Sequence, residues 1–136
     1  MSLQIKQRER EGMVILDLNG PLVLGERIST FQQHLDLLRE SGKVAIALNF
    51  QNIGKIDSTG LGTLVVALVK LRKAGGRLAL FNVPSSHLNL LLFTKLVTVF
   101  ELFADETAAV SSCFPGRATE RYDVLNFVNL PSTVGS

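Results

Sequence analysis

Val44-Ala45-Ile46-Ala47-Leu48-Asn49-Phe50 is nearly all apolar, and past a connection over Gln51–Lys55 the chain continues Ile56-Asp57-Ser58-Thr59-Gly60-Leu61-Gly62. A short run that is apolar on both faces is what an interior strand of a parallel sheet requires, because helices cover it from either side. The next segment reads as a helix. Leu61, Leu64, Val65 and Leu68 share one face, and Gly75-Gly76 supplies a stop after Ala74. Strand, tight connection and helix together are the repeating unit of an α/β fold.

Working outward, Leu3–Arg8 alternates and predicts a short edge strand, Glu11-Gly12 a turn, and Met13–Leu18 a second strand of the same hairpin, ended by Asn19-Gly20-Pro21. Ile28, Phe31, Leu35 and Leu38 recur at helical spacing ahead of Gly42. Downstream, Arg77–Val83 predicts a buried strand. Pro84-Ser85-Ser86 then opens a helix with Ser85 or Ser86 as its cap, and Leu88, Leu91, Leu92 and Lys95 carry its register. Val97–Leu102 predicts the last strand and Asp105–Cys113 the last helix. The expected fold class is α/β, a mostly parallel sheet of four to five strands flanked by about four helices. It occupies one domain over residues 1–114. Residues 115–136, rich in Pro, Ser, Thr and Asn, read as a C-terminal tail.

At 136 residues the chain fits a single domain, able to bury about two thirds of its unfolded surface without a disulfide or metal staple. Hydrophobic residues at 46% against 19% charged exclude a disordered or strongly basic arm, and a net charge of +2 gives no reason to expect a nucleic-acid partner. The single cysteine, Cys113, cannot form an internal bridge. Leu61–Leu71, the longest apolar stretch, is interrupted by Lys70 and is too short to span a bilayer. Met1–Glu11 has no apolar core behind its cations, so no signal peptide is expected. These features predict a cytoplasmic location with no membrane insertion.

Enzyme signatures are poor. His34 and His87 are isolated, no metal-ligand spacing occurs, no Lys-Ser/Thr follows Gly60-Leu61-Gly62, and no nucleophile elbow is present, so no cofactor, metal or catalytic residue is expected. What remains is Ser58, a hydroxyl at the carboxyl end of a parallel strand and the start of a helix, where α/β proteins place functional groups. One of Asp57, Ser58 and Thr59 is expected to cap the helix. The helix is also apolar beyond its core face, at Val66, Ala67 and Val69, as expected of a surface that meets a partner.

The strand Val44–Phe50, the Ile56-Asp57-Ser58-Thr59-Gly60-Leu61-Gly62 segment and Lys73-Ala74-Gly75-Gly76-Arg77-Leu78 together resemble a STAS domain, over about residues 3–113, and more narrowly a bacterial anti-sigma factor antagonist. The resemblance implies a non-enzymatic, partner-switching regulator of transcription. Unphosphorylated, it would bind an anti-sigma factor that is also a GHKL-type serine kinase; phosphorylation at Ser58, with Thr59 the lesser acceptor, would release it, and a serine phosphatase would reset it. Asp57, Ser58, Thr59, Gly60, Leu61, Gly62, Val66, Val69 and Glu26 are the expected partner-binding residues. The loop Gly20-Pro21-Leu22-Val23-Leu24-Gly25-Glu26 departs from the family's pattern, in which an acidic residue stands two or three positions past the glycine; here Glu26 stands later. Asn49 stands where many relatives carry aspartate. The alternative the resemblance leaves open is a STAS accessory subunit of a lipid or anion transporter, with Ser58 serving only as a helix cap. In the tail, Arg121–Val128 is apolar enough to strap onto its own domain, or to form a homodimer or partner-binding strand.

Overall fold

The computed structural model describes residues 2–114. Its elements follow in the order β1 (Gln4–Arg10), β2 (Met13–Leu22), α1 (Glu26–Glu40), β3 (Ala45–Ile56), α2 (Ser58–Lys73), β4 (Arg77–Phe81), α3 (Ser85–Phe93), β5 (Glu101–Phe103) and α4 (Glu106–Ser111). The five strands lie in sequence order in one sheet. β1 and β2 pair antiparallel, and every other pair is parallel. The expected tail over 115–136, with its Arg121–Val128 strand, lies outside the described residues.

Alternation along the strands sorts side chains to two cores. Val14, Leu16, Leu18, Ile46, Leu48, Leu78 and Leu80 point to the face covered by α1, α2 and α3, where Ile28, Phe31, Leu64, Leu68 and Leu91 meet them. Met13, Ile15, Ala47, Ala79, Phe81 and Phe103 point to the other face, covered by Ala109 and Val110 of α4. Both long helices end as the glycines predicted. Gly42 and Gly75 take left-handed φ of 87° and 81°. The amides of Lys43 and Gly76 then bond back to the Leu38 and Leu71 carbonyls at 2.8 and 2.7 Å.

Several boundaries differ from expectation. β2 continues through Asn19-Gly20-Pro21 to Leu22, and β3 continues through the expected Gln51–Lys55 connection to Ile56, the two pairing with each other across register shifts. Their extensions have one neighbour only, since β1 reaches no further than Asn19 and β4 no further than Asn49. An edge tolerates proline and polar side chains that an interior strand does not. β4 stops at Phe81 because Asn82 turns to a positive φ of 55°. α3 starts after Pro84 with no side-chain cap, so neither Ser85 nor Ser86 serves as one. The last strand is Glu101–Phe103 rather than Val97–Leu102, as Lys95 (φ 63°) folds the apolar run back so that the Leu96 amide bonds to the Leu91 carbonyl at 2.8 Å.

One polar cluster ties the hairpin to α4. The Arg8 guanidinium grips both carboxylate oxygens of Asp17, at 2.7 and 3.0 Å, and donates to Glu106 at 2.9 Å; Asn49 donates to Asp17 at 2.8 Å. Hydrogen bonds from Arg8 are the leading cause holding both Asp17 and Glu106 below the usual carboxylate range. Carboxyls depressed in the folded state contribute stability that is present above their unfolded values, about 4, and is lost as pH falls through the folded ones. The urea midpoint is therefore expected to fall as pH drops below about 5. Glu106→Gln is expected to lower the midpoint at neutral pH and to make the fall on acidification shallower. Urea titrations of both proteins at neutral and acid pH check this.

Candidate functional site

β3 delivers the chain to α2 through Asp57, an extended residue (φ −108°, ψ −177°) that occupies the N-cap position. Its carboxylate divides between two amides. Oδ1 accepts from Gly60 N–H at 2.9 Å, and Oδ2 accepts from Leu24 N–H at 2.9 Å across the sheet edge. The Asp57 amide donates to the Leu22 carbonyl at 3.3 Å, so one residue fixes both the helix start and the connection between β2 and α1. The Leu24 amide, then that of Gly60, pulls the Asp57 carboxyl below its ordinary value. This carboxylate is a built-in structural anion.

Ser58, the first residue of α2, is exposed and its hydroxyl bonds to no described residue. Of the three candidate caps, Asp57 is the one used, which leaves the serine oxygen unemployed by the fold. Thr59 is half-buried, and its carbonyl accepts from the Thr63 hydroxyl at 2.8 Å.

The other expected contact residues divide. Gly60 is buried, and a Cβ there would lie 2.0 Å from the Leu22 carbonyl oxygen, so this glycine is required for backbone approach. Leu61 is half-buried against the larger core. Ala67, expected on the outer side, is buried in that core. Gly62 is exposed, as are Val66 at 46% and Val69 at 44%, and with Ser58 they recur at helical spacing as one outward stripe. Glu26 is exposed at the first position of α1, two residues beyond Leu24.

Leu24 itself escaped the sequence reading. It is 73% exposed, yet its backbone is held by Asp57. The available signal was the apolar run Leu22-Val23-Leu24 past Pro21, in a place where a turn would be polar. The histidines are accounted for locally. His34 bonds to Gln7 at 2.7 Å, and buried His87 bonds to the Ile53 carbonyl at 3.2 Å and sits edge-on to Phe50.

The sequence model of the STAS domain family matches residues 4–109. No curated protein matches the chain significantly. Among solved structures, the chain is similar to a protein described as an anti-sigma factor antagonist from Thermotoga maritima, at 24% identity and TM-score 0.74, covering 79% of this chain and 92% of that one. It is similar to Bacillus SpoIIAA, an anti-sigma factor antagonist, in its unphosphorylated form (17% identity, 85% and 100% of the two chains, TM-score 0.64) and its phosphorylated form (19%, 82% and 100%, 0.65). A sulfate transporter family protein from Wolinella succinogenes matches at 20% identity and TM-score 0.55, over 74% of this chain and 84% of that one. At these identities the likeness is one of fold.

The division of roles within Asp57–Gly60 has a direct consequence for stability. Gly60→Ala is expected to cost about 1–3 kcal/mol or more, through its clash with backbone. Ser58→Ala is expected to stay within about 0.5 kcal/mol of wild type, because that hydroxyl caps nothing. Urea denaturation of the two variants measures both.

Proposed function

Because the chain belongs to the STAS domain family, we propose that it works as an anti-sigma factor antagonist of the partner-switching kind. With Ser58 unmodified it binds an anti-sigma factor that is itself a GHKL-type serine kinase, phosphorylation of Ser58 releases it, and a serine phosphatase restores it. The observation that carries this reading is the Ser58 hydroxyl: exposed, unused by the fold, and heading the apolar stripe of Gly62, Val66 and Val69. Exposed Leu24, tied by its amide to Asp57, extends the apolar surface onto the neighbouring connection. Half-buried Thr59 is the poorer acceptor.

The switch follows from charge. A phosphate adds about −1.5 to −2 charges at neutral pH. At an exposed helix N-terminus such a charge is favoured by about 0.3–1 kcal/mol, so the domain itself tolerates it. Pressed into an apolar or acidic partner surface, the same charge costs desolvation and repulsion. Modification therefore ends docking without unfolding the module. The transporter-subunit reading assigned Ser58 to helix capping; Asp57 fills that place, which favours the switch.

Mass spectrometry of the Ser58 peptide from native cells is expected to find a phosphorylated fraction. With a GHKL-type anti-sigma kinase from the same organism, Ser58→Ala is expected to bind like wild type and Ser58→Asp to lose at least about tenfold in affinity, the equivalent of 1.4 kcal/mol. Equal binding by both variants, with no phosphate on Ser58, contradicts the assignment.

A further inference from the structure

Between Ser58 and Phe100 the chain has no aspartate or glutamate, while Lys70, Arg72, Lys73, Arg77 and Lys95 all fall there. Lys70 pairs with Asp36 at 3.3 Å and Arg77 with Glu101. Arg72 donates to the Val99 carbonyl at 2.9 Å, tying the basic last turn of α2 to the connection between α3 and β5. Lys73 and Lys95 are exposed and have no ion-pair partner among the described residues. Lys95 closes α3 in the left-handed conformation that glycine adopts without strain. Two residues before it stands Phe93, at 88% the most exposed large apolar side chain among the described residues.

A lone exposed apolar residue needs no explanation. A phenylalanine at a helix-ending turn, two residues before an exposed lysine and in a segment whose Val99 carbonyl is held by Arg72, combines an apolar tip with nearby positive charge. Cavities lie between α1 and α2, between α1 and β1, and over Asp17 and Asn49. None of these is lined by Phe93, Lys95, Arg72 or Lys73. An apolar tip with nearby positive charge suits a fluid anionic surface, with the ring entering the headgroup layer and the ammonium groups meeting lipid phosphates.

We propose that the corner formed by Phe93, Lys95, Arg72 and Lys73 adsorbs to anionic lipid bilayers. No helix of the described residues is long and apolar enough to cross a membrane, so the contact is with the surface alone. The 16 residues of α2 separate this corner from Ser58, about 24 Å along the helix. The corner lies at the other end of α2 from Ser58, and the inference stands independently of the proposed switch.

The test is co-sedimentation of the full chain with vesicles of phosphatidylcholine alone or of equimolar phosphatidylcholine and phosphatidylglycerol. Binding to the anionic vesicles is expected at low salt, with at least about a fivefold preference over the neutral ones and release at high salt. Phe93→Ser, and separately Lys73→Glu with Lys95→Glu, are each expected to lower the bound fraction at least about fivefold, with circular-dichroism melting curves unchanged. Leu37→Ser, altering another exposed leucine on α1, is expected to bind as wild type. Failure to bind anionic vesicles, or equal binding by every variant, overturns the proposal. So does retention on immobilised polyglutamate in place of vesicles, which would assign the corner to an acidic protein partner.

Discussion

The Asp57 carboxylate is the interaction on which the rest of the molecule's surface depends. With one oxygen on the Gly60 amide and the other on the Leu24 amide, it begins α2, anchors the connection that follows β2, and consumes the capping role that Ser58 or Thr59 would otherwise fill. A helix start has more free N–H groups than one side chain can satisfy, and many proteins spend a serine there. Here an aspartate is spent instead, and the adjacent serine oxygen is left facing solvent. Gly60 completes the arrangement, since only a residue without Cβ lets α2 approach the Leu22 carbonyl so closely.

The sheet supports this edge from both sides. The larger core beneath α1, α2 and α3 fixes the axis of α2 through Leu64, Leu68 and Leu71, so the opposite side of the same helix must face outward with Gly62, Val66 and Val69. The smaller core under α4 is completed by the Arg8, Asp17, Asn49 and Glu106 cluster, which binds the antiparallel β1 to the parallel body of the sheet. Rigid support on both faces is what the proposed switch requires, so that a surface charge at Ser58 would reach a partner without rearranging the module.

Much of this was legible in the residues. The unbroken apolar run of Val44–Phe50 announced an interior strand, the spacing of Ile28, Phe31, Leu35 and Leu38 set the buried face of α1, and Gly42 and Gly75 ended their helices as left-handed residues must. What sequence could not show arises where neighbours run out. Asn19-Gly20-Pro21 and Gln51–Lys55 carry turn-like and polar residues, yet they are strand, because each extension is an edge with one partner. In Leu88–Phe100 nine of thirteen positions are apolar, so periodicity could not separate helix from strand, and the left-handed Lys95 decided the boundary. At the site, the stretch Asp57–Gly62 was recognisable, but which of three residues capped the helix was a matter of geometry. The bond from Asp57 to Leu24 joins residues 33 positions apart, beyond the reach of any local pattern.

In the proposed switch, a negative charge at Ser58 changes what the surface offers and leaves the fold as it was. The direct measurement compares amide chemical shifts of the full chain with and without phosphoserine incorporated at position 58. Shifts confined to the first turn of α2 and to the Leu24 connection are the predicted result. Changes spreading through β3, β4 and the buried leucines of α2 would contradict it, because the serine would then be coupled to the core rather than poised on its edge.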